Sequence, residues 1–344
     1  MNPRICGVLA FVATRYSVVL ALATICICCG GLVKTTCAAP RGSDARAGCP
    51  RPSARGNHSM VYDEARHVVL LFGGVGNGPN PNNQLWAWDA AGWRLLAEDG
   101  PPPRLDAVMV YDAGRQRTVL CGGQNFPTFF NDTWEWDGAA WMRVSESCPG
   151  ILPHTAAAYD RERGKVILFG GYDPVANHHV GDTWQWDGAQ WTKLDVAGPS
   201  PRGVHAMGYD ERNKVVLLFG GLQDRGPMLR DTWTWDGATW TRVSETGPLL
   251  LAGRVLTSIG TDGPVIFYGG SENGNPAKGT YMWNGESWLG FTGRGPSARY
   301  LHGIAYDQDR GSAVLFGGDK AGNRAVRDMW EFKDGAWTKL PKCP

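Results

Sequence analysis

Arginine three residues ahead of histidine occurs three times in this 344-residue sequence, as Arg55/His58, Arg202/His205 and Arg299/His302, and Arg104 holds the same place without its histidine. A guanidinium offers paired N–H donors that fit a carboxylate, and an imidazole adds a titratable donor and acceptor. Brought together by the fold, such basic groups would bind a carboxylate or an anionic sugar. Recurrence supports a second reading, in which arginine ties neighbouring repeats together and histidine satisfies buried backbone. Polar residues that occur once need another reason. They are Asp106 and Gln124; then His154, Asp173 and His178; then Asp224 with Arg225, and beside Gln124 stand the aromatics Phe126, Phe129 and Phe130. Three aromatics in one loop are unusual unless something covers them. Arg55, Arg104, Asp106, Gln124, Phe126, His154, Asp173, His178, Arg202, His205, Asp224, Arg225, Arg299 and His302 form the candidate ligand-binding set.

Familiar catalytic constellations are absent. His178 and His179 are adjacent, but a zinc or copper site needs a third and fourth ligand that the sequence does not place beside them. There is no Gly-x-Ser-x-Gly elbow and no Ser-x-Asp-x-Gly-x-Thr-Trp box. No catalytic residue, metal or cofactor is assigned, although His154, Asp106 or Glu272 could serve general acid–base chemistry. A formal net charge of +1 argues against nucleic acid as a partner, because phosphate binding needs a basic face.

The elements that must position these side chains repeat. A Gly-Gly pair after an apolar run begins at Gly73, Gly122, Gly170, Gly220, Gly269 and Gly317, at intervals of 49, 48, 50, 49 and 48 residues. A fixed period of this length means a repeat architecture. The copy from Pro201 to Val243 reads as four short strands: His205 to Tyr209, Lys214 to Phe219, Asp231 to Trp235, and Trp240 to Val243. Aspartate in Tyr209-Asp210 suits a tight turn, and Gly-Gly lets the second strand leave where a side chain would collide. Trp-x-Trp places two rings on one face of the third strand. All 16 tryptophans fall at these repeat positions, which assigns them to packing between sheets. One such sheet cannot bury both faces alone, whereas sheets stacked radially can. With 47 glycines, 43% hydrophobic and 19% charged residues, the chain has the composition of an all-β protein with many turns.

Gly-Gly, Tyr-Asp and Trp-x-x-Leu at these offsets resemble kelch repeats over roughly residues 51–341. The resemblance implies a six-bladed β-propeller with four antiparallel strands per blade, at about 52–100, 101–149, 150–198, 199–247, 248–294 and 295–342. It implies that the His205-type strand is innermost, and that ligands bind where inter-blade loops meet the loops after Gly-Gly. Kelch proteins are mostly interaction modules. A minority are enzymes, among them galactose oxidase, a sialic acid mutarotase and plant proteins that redirect nitrile-forming reactions. The copper ligands of galactose oxidase have no counterpart here, and the mutarotase's catalytic residues find no match in these loops. The expectation is therefore a binding module for a protein, peptide or glycan, with a sugar-acting enzyme resembling the mutarotase as the alternative.

Residues 1–39 read as an export segment followed by a linker at 40–50. Arg4 and Arg15 precede an uncharged run from Ser17 to Val33, and small residues near Ala38-Ala39 offer a cleavage site. An uncleaved membrane anchor is the rival reading, and would be the only membrane contact. Either way the remainder is expected outside the cytoplasm: secreted, periplasmic or on the cell surface. Five of the nine cysteines lie in this segment, leaving Cys49, Cys121, Cys148 and Cys343. Cys49 and Cys343 bracket the repeats, so a disulfide between them would close a ring. Cys121 replaces the phenylalanine of Leu-Phe-Gly-Gly, which makes it a buried small hydrophobe or a partner for Cys148.

Overall fold

The computed structural model describes residues 49–149, 154–249, 255–272, 274–291 and 293–343. The export segment expected at residues 1–39 lies outside them. All regular structure among the described residues is β-strand, arranged as six four-stranded antiparallel sheets in a ring: a six-bladed β-propeller. Each sheet has its strands in chain order, as in blade 4, where Ala206–Asp210, Val215–Gly221, Leu229–Trp235 and Trp240–Ser244 run from the channel outward. Blade 5, which lacks Tyr-Asp in sequence, has an inner strand of only two residues, Thr257–Ser258.

The segments after Gly-Gly are more ordered than loops. In four blades they form two-stranded ribbons: Gln124–Asn125 with Thr128–Phe129, Tyr172–Asp173 with His178–His179, Ser271–Glu272 with Asn275–Pro276, and Asp319–Lys320 with Arg324–Ala325. Blade 4 extends its second and third strands instead, and blade 1 alone carries an irregular Gly/Asn/Pro segment here. These segments crown one end of the channel, and the Tyr-Asp turns form the other.

Packing between blades follows from the tryptophans. Trp136, Trp186, Trp235 and Trp283 are fully buried. The fourth-strand tryptophan donates its indole N–H to a threonine hydroxyl of the preceding blade: Trp191 to Thr133, Trp240 to Thr183, Trp288 to Thr232 and Trp337 to Thr280, at 2.7–2.9 Å. Trp141 meets Leu85 rather than a threonine, so its buried N–H has no partner. The Gly-Gly pair works through backbone contact. Gly73 has φ +69°, and a Cβ there would stand 2.6 Å from the carbonyl oxygen of Arg104 in the next blade; only glycine fits.

Blade 6 closes on blade 1 without lending a strand. At this seam Met60, Tyr62, Trp86, Trp88 and Trp93 pack with Ala305, Val314, Phe316 and Met329. A Cys49–Cys343 disulfide fastens the ends. Cys121 is also paired, with Cys148, so it is not a lone buried thiol. Its strand position brings it against the end of its own blade, within an apolar cluster that also holds Val108 and Leu168. Two disulfides fit an oxidising environment.

Candidate functional site

The recurring basic residues are built into the scaffold. Arg55, Arg104, Arg202 and Arg299 are at most 1% exposed. Each uses its backbone to bind the preceding blade and its guanidinium to bind its own. The Arg202 carbonyl accepts from Gly171 N–H (2.9 Å) and its N–H donates to Val180 (3.1 Å). Its Nη1 donates to the Gly220 carbonyl at 3.0 Å, and Nη1 and Nη2 clasp both oxygens of Asp231 at 2.6 and 2.9 Å. Asp231 also accepts the indole N–H of Trp233 at 2.7 Å. The same clasp recurs as Arg104–Asp132–Trp134 and Arg299–Asp328–Trp330. Burial pushes the Asp328 carboxyl up, but Arg299 and Trp330 more than offset this and hold it at about 2.

The histidines of this register serve the same packing. His58, His205 and His302 lie edge-on to Phe316, Phe169 and Tyr268 of the preceding blades. Burial, then the neighbouring arginine, holds each imidazole down at about 3, hence neutral. A ring of accessible cations around the channel is therefore not what Arg104, Arg202, Arg299, His205 and His302 form: their donors are enclosed by protein or matched to internal carboxylates.

Just ahead of the inner strand in blades 1, 2, 3, 4 and 6 lies a residue in the left-handed region. Asn57, Asp106, His154, Val204 and Leu301 have φ of 56°, 66°, 70°, 57° and 57°. Holding non-glycine residues there costs about 1 kcal/mol each. Backbone bonds between blades offset the cost: Asn57 N–H donates to Leu301, Asp106 to Asn57 and Val204 to His154, at 2.8–3.2 Å. These five residues rim the channel mouth at the crowned end, and their side chains are the non-recurring ones.

Two clusters occupy this rim. In blade 2, buried Asp106 accepts a 2.6 Å hydrogen bond from Gln124 Nε2. At the junction of blades 3 and 4, His179 Nδ1 lies 2.7 Å from Asp224 Oδ1, which also accepts the His179 backbone N–H at 3.0 Å. The His179 ring lies over Gly203, where a Cβ would come within 2.8 Å of Cδ2 and 3.0 Å of Nε2. His154 flanks the same glycine and is held down at about 4 by burial and then by His179. Tyr172 meets the His179 ring edge-on at 5.3 Å. The carboxylate orients His179 through Nδ1, leaving Nε2 without a hydrogen bond among the described residues.

Of the remaining candidates, His178 is exposed with Nδ1 on the His179 carbonyl, and Asp173 is occupied in its own turn, accepting from Val175 and Ala176. Arg225 is exposed on the blade 4 loop. Only one of the three loop phenylalanines stands out from the surface: Phe126 is 57% exposed, Phe129 is half-buried, and Phe130 lies against the Arg104 guanidinium. Val175, 90% exposed, tips the neighbouring ribbon. His179, rather than His178, is the histidine that faces Asp224; strand alternation in the ribbon decides between them, and the sequence shows no ribbon there.

At the opposite end the residues after Tyr-Asp are Glu64, Ala113, Arg161, Glu211 and Gln308 in blades 1, 2, 3, 4 and 6. Arg161 binds both oxygens of Glu64, and its Nε lies 3.2 Å from Glu211. Blades 1 and 3 are not neighbours, so this pair spans the channel past Ala113. Burial raises the carboxyls of Glu64 and Glu211, with Arg161 opposing.

No protein-family description matches this chain, and no curated protein matches it either.

Proposed function

We propose that the chain is an exported binding module that takes a protein, peptide or glycan ligand on the crowned face, over the channel mouth at blades 2–4. The observation that carries this reading is the gathering of non-recurring side chains from two blades, His154, His179 and Asp224, at a rim where Arg104, Arg202 and Arg299 are clasped by internal carboxylates. Asp106 with Gln124 extends the polar floor, and Phe126 and Val175 stand above it as apolar tips. The Glu64–Arg161–Glu211 bridge favours approach from this face. Export is supported by the uncharged run from Ser17 to Val33 and by the two disulfides. In screens of glycan and peptide arrays, a ligand bound by the wild type should lose at least tenfold affinity on His179→Ala or Asp106→Asn. Unchanged affinity in both variants defeats the assignment.

One observation favours a second reading, a sugar-acting enzyme. The Asp224–His179 pair has the orientation of a general base, with Nε2 available. Anomer exchange of reducing sugars followed by NMR decides: acceleration lost in His179→Ala supports catalysis, and no acceleration supports binding alone.

A further inference from the structure

Blade 1 departs from the arginine clasp in one respect. Where blades 2, 4 and 6 place Asp132, Asp231 and Asp328, blade 1 has Gln84. Arg55 Nη2 donates to Gln84 Oε1 at 3.2 Å and to Ser53 Oγ at 3.0 Å, Nη1 to the Gly73 carbonyl at 2.9 Å, and Nε to the Ser53 carbonyl at 3.3 Å. Every acceptor is neutral. Burial pushes this guanidinium down to about 10, with no carboxylate to restore it. The nearest acids serve others: Glu98 accepts from Gln84 Nε2 at 2.7 Å on the exposed side, and Asp319 of blade 6 packs on Gly56. A buried cation without a counter-charge is costly.

That arginine belongs to the lining of a cavity of about 320 Å³ in the one crown segment that, among the described residues, forms no regular strands. Ser53, Gly74, Gly76, Asn77 and Asn80 line it too. The side chains of Ser53, Asn77 and Asn80 and the glycine backbone supply neutral hydrogen-bonding groups. Two more cations stand at the seam. Arg51, two residues before Ser53, is close enough to Arg327 for their charges to repel, and Arg327 follows the residue whose carbonyl binds Arg55 N–H. Neither makes an ion pair among the described residues.

We propose that this cavity is an oxyanion site for a carboxylate carried on a small hydroxyl-rich body, the chemistry of a uronic acid. The carboxylate supplies the counter-charge that blade 1 lacks, under the field of Arg55, at the seam where Arg51 and Arg327 also stand. Asparagine side chains and glycine backbone bind the hydroxyls, and the absence of a negative lining group admits the charge. The inference rests on the crowned face being the binding face, but not on the His179 cluster.

The test is titration of the disulfide-intact secreted protein with glucuronate, glucose and acetate, by calorimetry and thermal shift, comparing wild type with Gln84→Asp. The substitution gives blade 1 the aspartate that folds successfully in three other blades. Wild type should bind glucuronate saturably, acetate more weakly and glucose at least tenfold more weakly, with affinity falling as salt rises. Gln84→Asp should stay folded and lose at least tenfold of glucuronate affinity, and Gln84→Glu should do the same should the shorter side chain misplace Trp86. Equal binding of glucuronate and glucose, equal binding by wild type and both variants, or no binding by wild type overturns the proposal. His179→Ala should leave glucuronate binding unchanged, so failure here is distinct from failure of the site at blades 2–4.

Discussion

Removing the seam disulfide should cost stability through the unfolded chain. Cys49 and Cys343 are 294 residues apart, and the chain-entropy relation for a loop of that length gives about 5.7 kcal/mol at 25 °C as a ceiling. The native interface gives no reason for the bond to be needed once the ring has formed. Gly318 N–H donates to the Arg55 carbonyl at 2.9 Å and Arg55 N–H to Val326 at 3.2 Å, matching Gly171–Arg202–Val180 between blades 3 and 4. The double variant Cys49→Ala/Cys343→Ala should therefore keep the native near-ultraviolet tryptophan signal. In urea titration followed by tryptophan fluorescence it should lose at least 2 kcal/mol, with a slightly larger m-value because the released chain expands. A loss under 1 kcal/mol, or a native signal altered before unfolding begins, would show that the disulfide does not act through the unfolded chain.

Two further outcomes follow from the clasps. Asp231→Asn leaves the Arg202 guanidinium buried without its carboxylate and should destabilise the protein by about 3–5 kcal/mol in the same urea assay; a loss below 1 kcal/mol shows that the pair is dispensable. The pH dependence has a definite sign. Asp328 is held at about 2, below its ordinary value of 3.8, so its contribution, on the order of 2 kcal/mol, is present above that ordinary value and fades as pH falls through about 2. Asp328→Asn should flatten the fall of stability between pH 4 and 2, and an unchanged slope excludes the linkage.

The blade count was legible because inter-blade packing requires large rings at one register, and the 16 tryptophans keep it. The seam disulfide was legible because the two cysteines flank the array. Arg55 and its counterparts were ambiguous in sequence, since their meaning depends on an aspartate 28 or 29 residues later that only the folded sheet brings near. For the same reason Gln84, one residue in a position otherwise acidic in blades 2, 4 and 6, carries no signal in the linear sequence. Sequence does not separate His179 from His178, because facing is decided by pairing in a short ribbon, where Tyr172 opposes His179. The cross-channel contact of Arg161 with Glu64 joins residues 97 apart on non-adjacent blades, and no local pattern signals it. Cys121–Cys148 joins a strand to the end of the same blade, a proximity that spacing does not encode.

The most direct test of the proposed binding face is hydrogen-exchange mass spectrometry of the disulfide-intact protein with and without its array-selected ligand. Protection is expected only in the ribbons Gln124–Phe129 and Tyr172–His179 and in the blade 4 segment around Asp224, with the turns at Glu64, Arg161 and Glu211 unchanged. Protection at those turns or along the outer strands, with the crown unaffected, would contradict it.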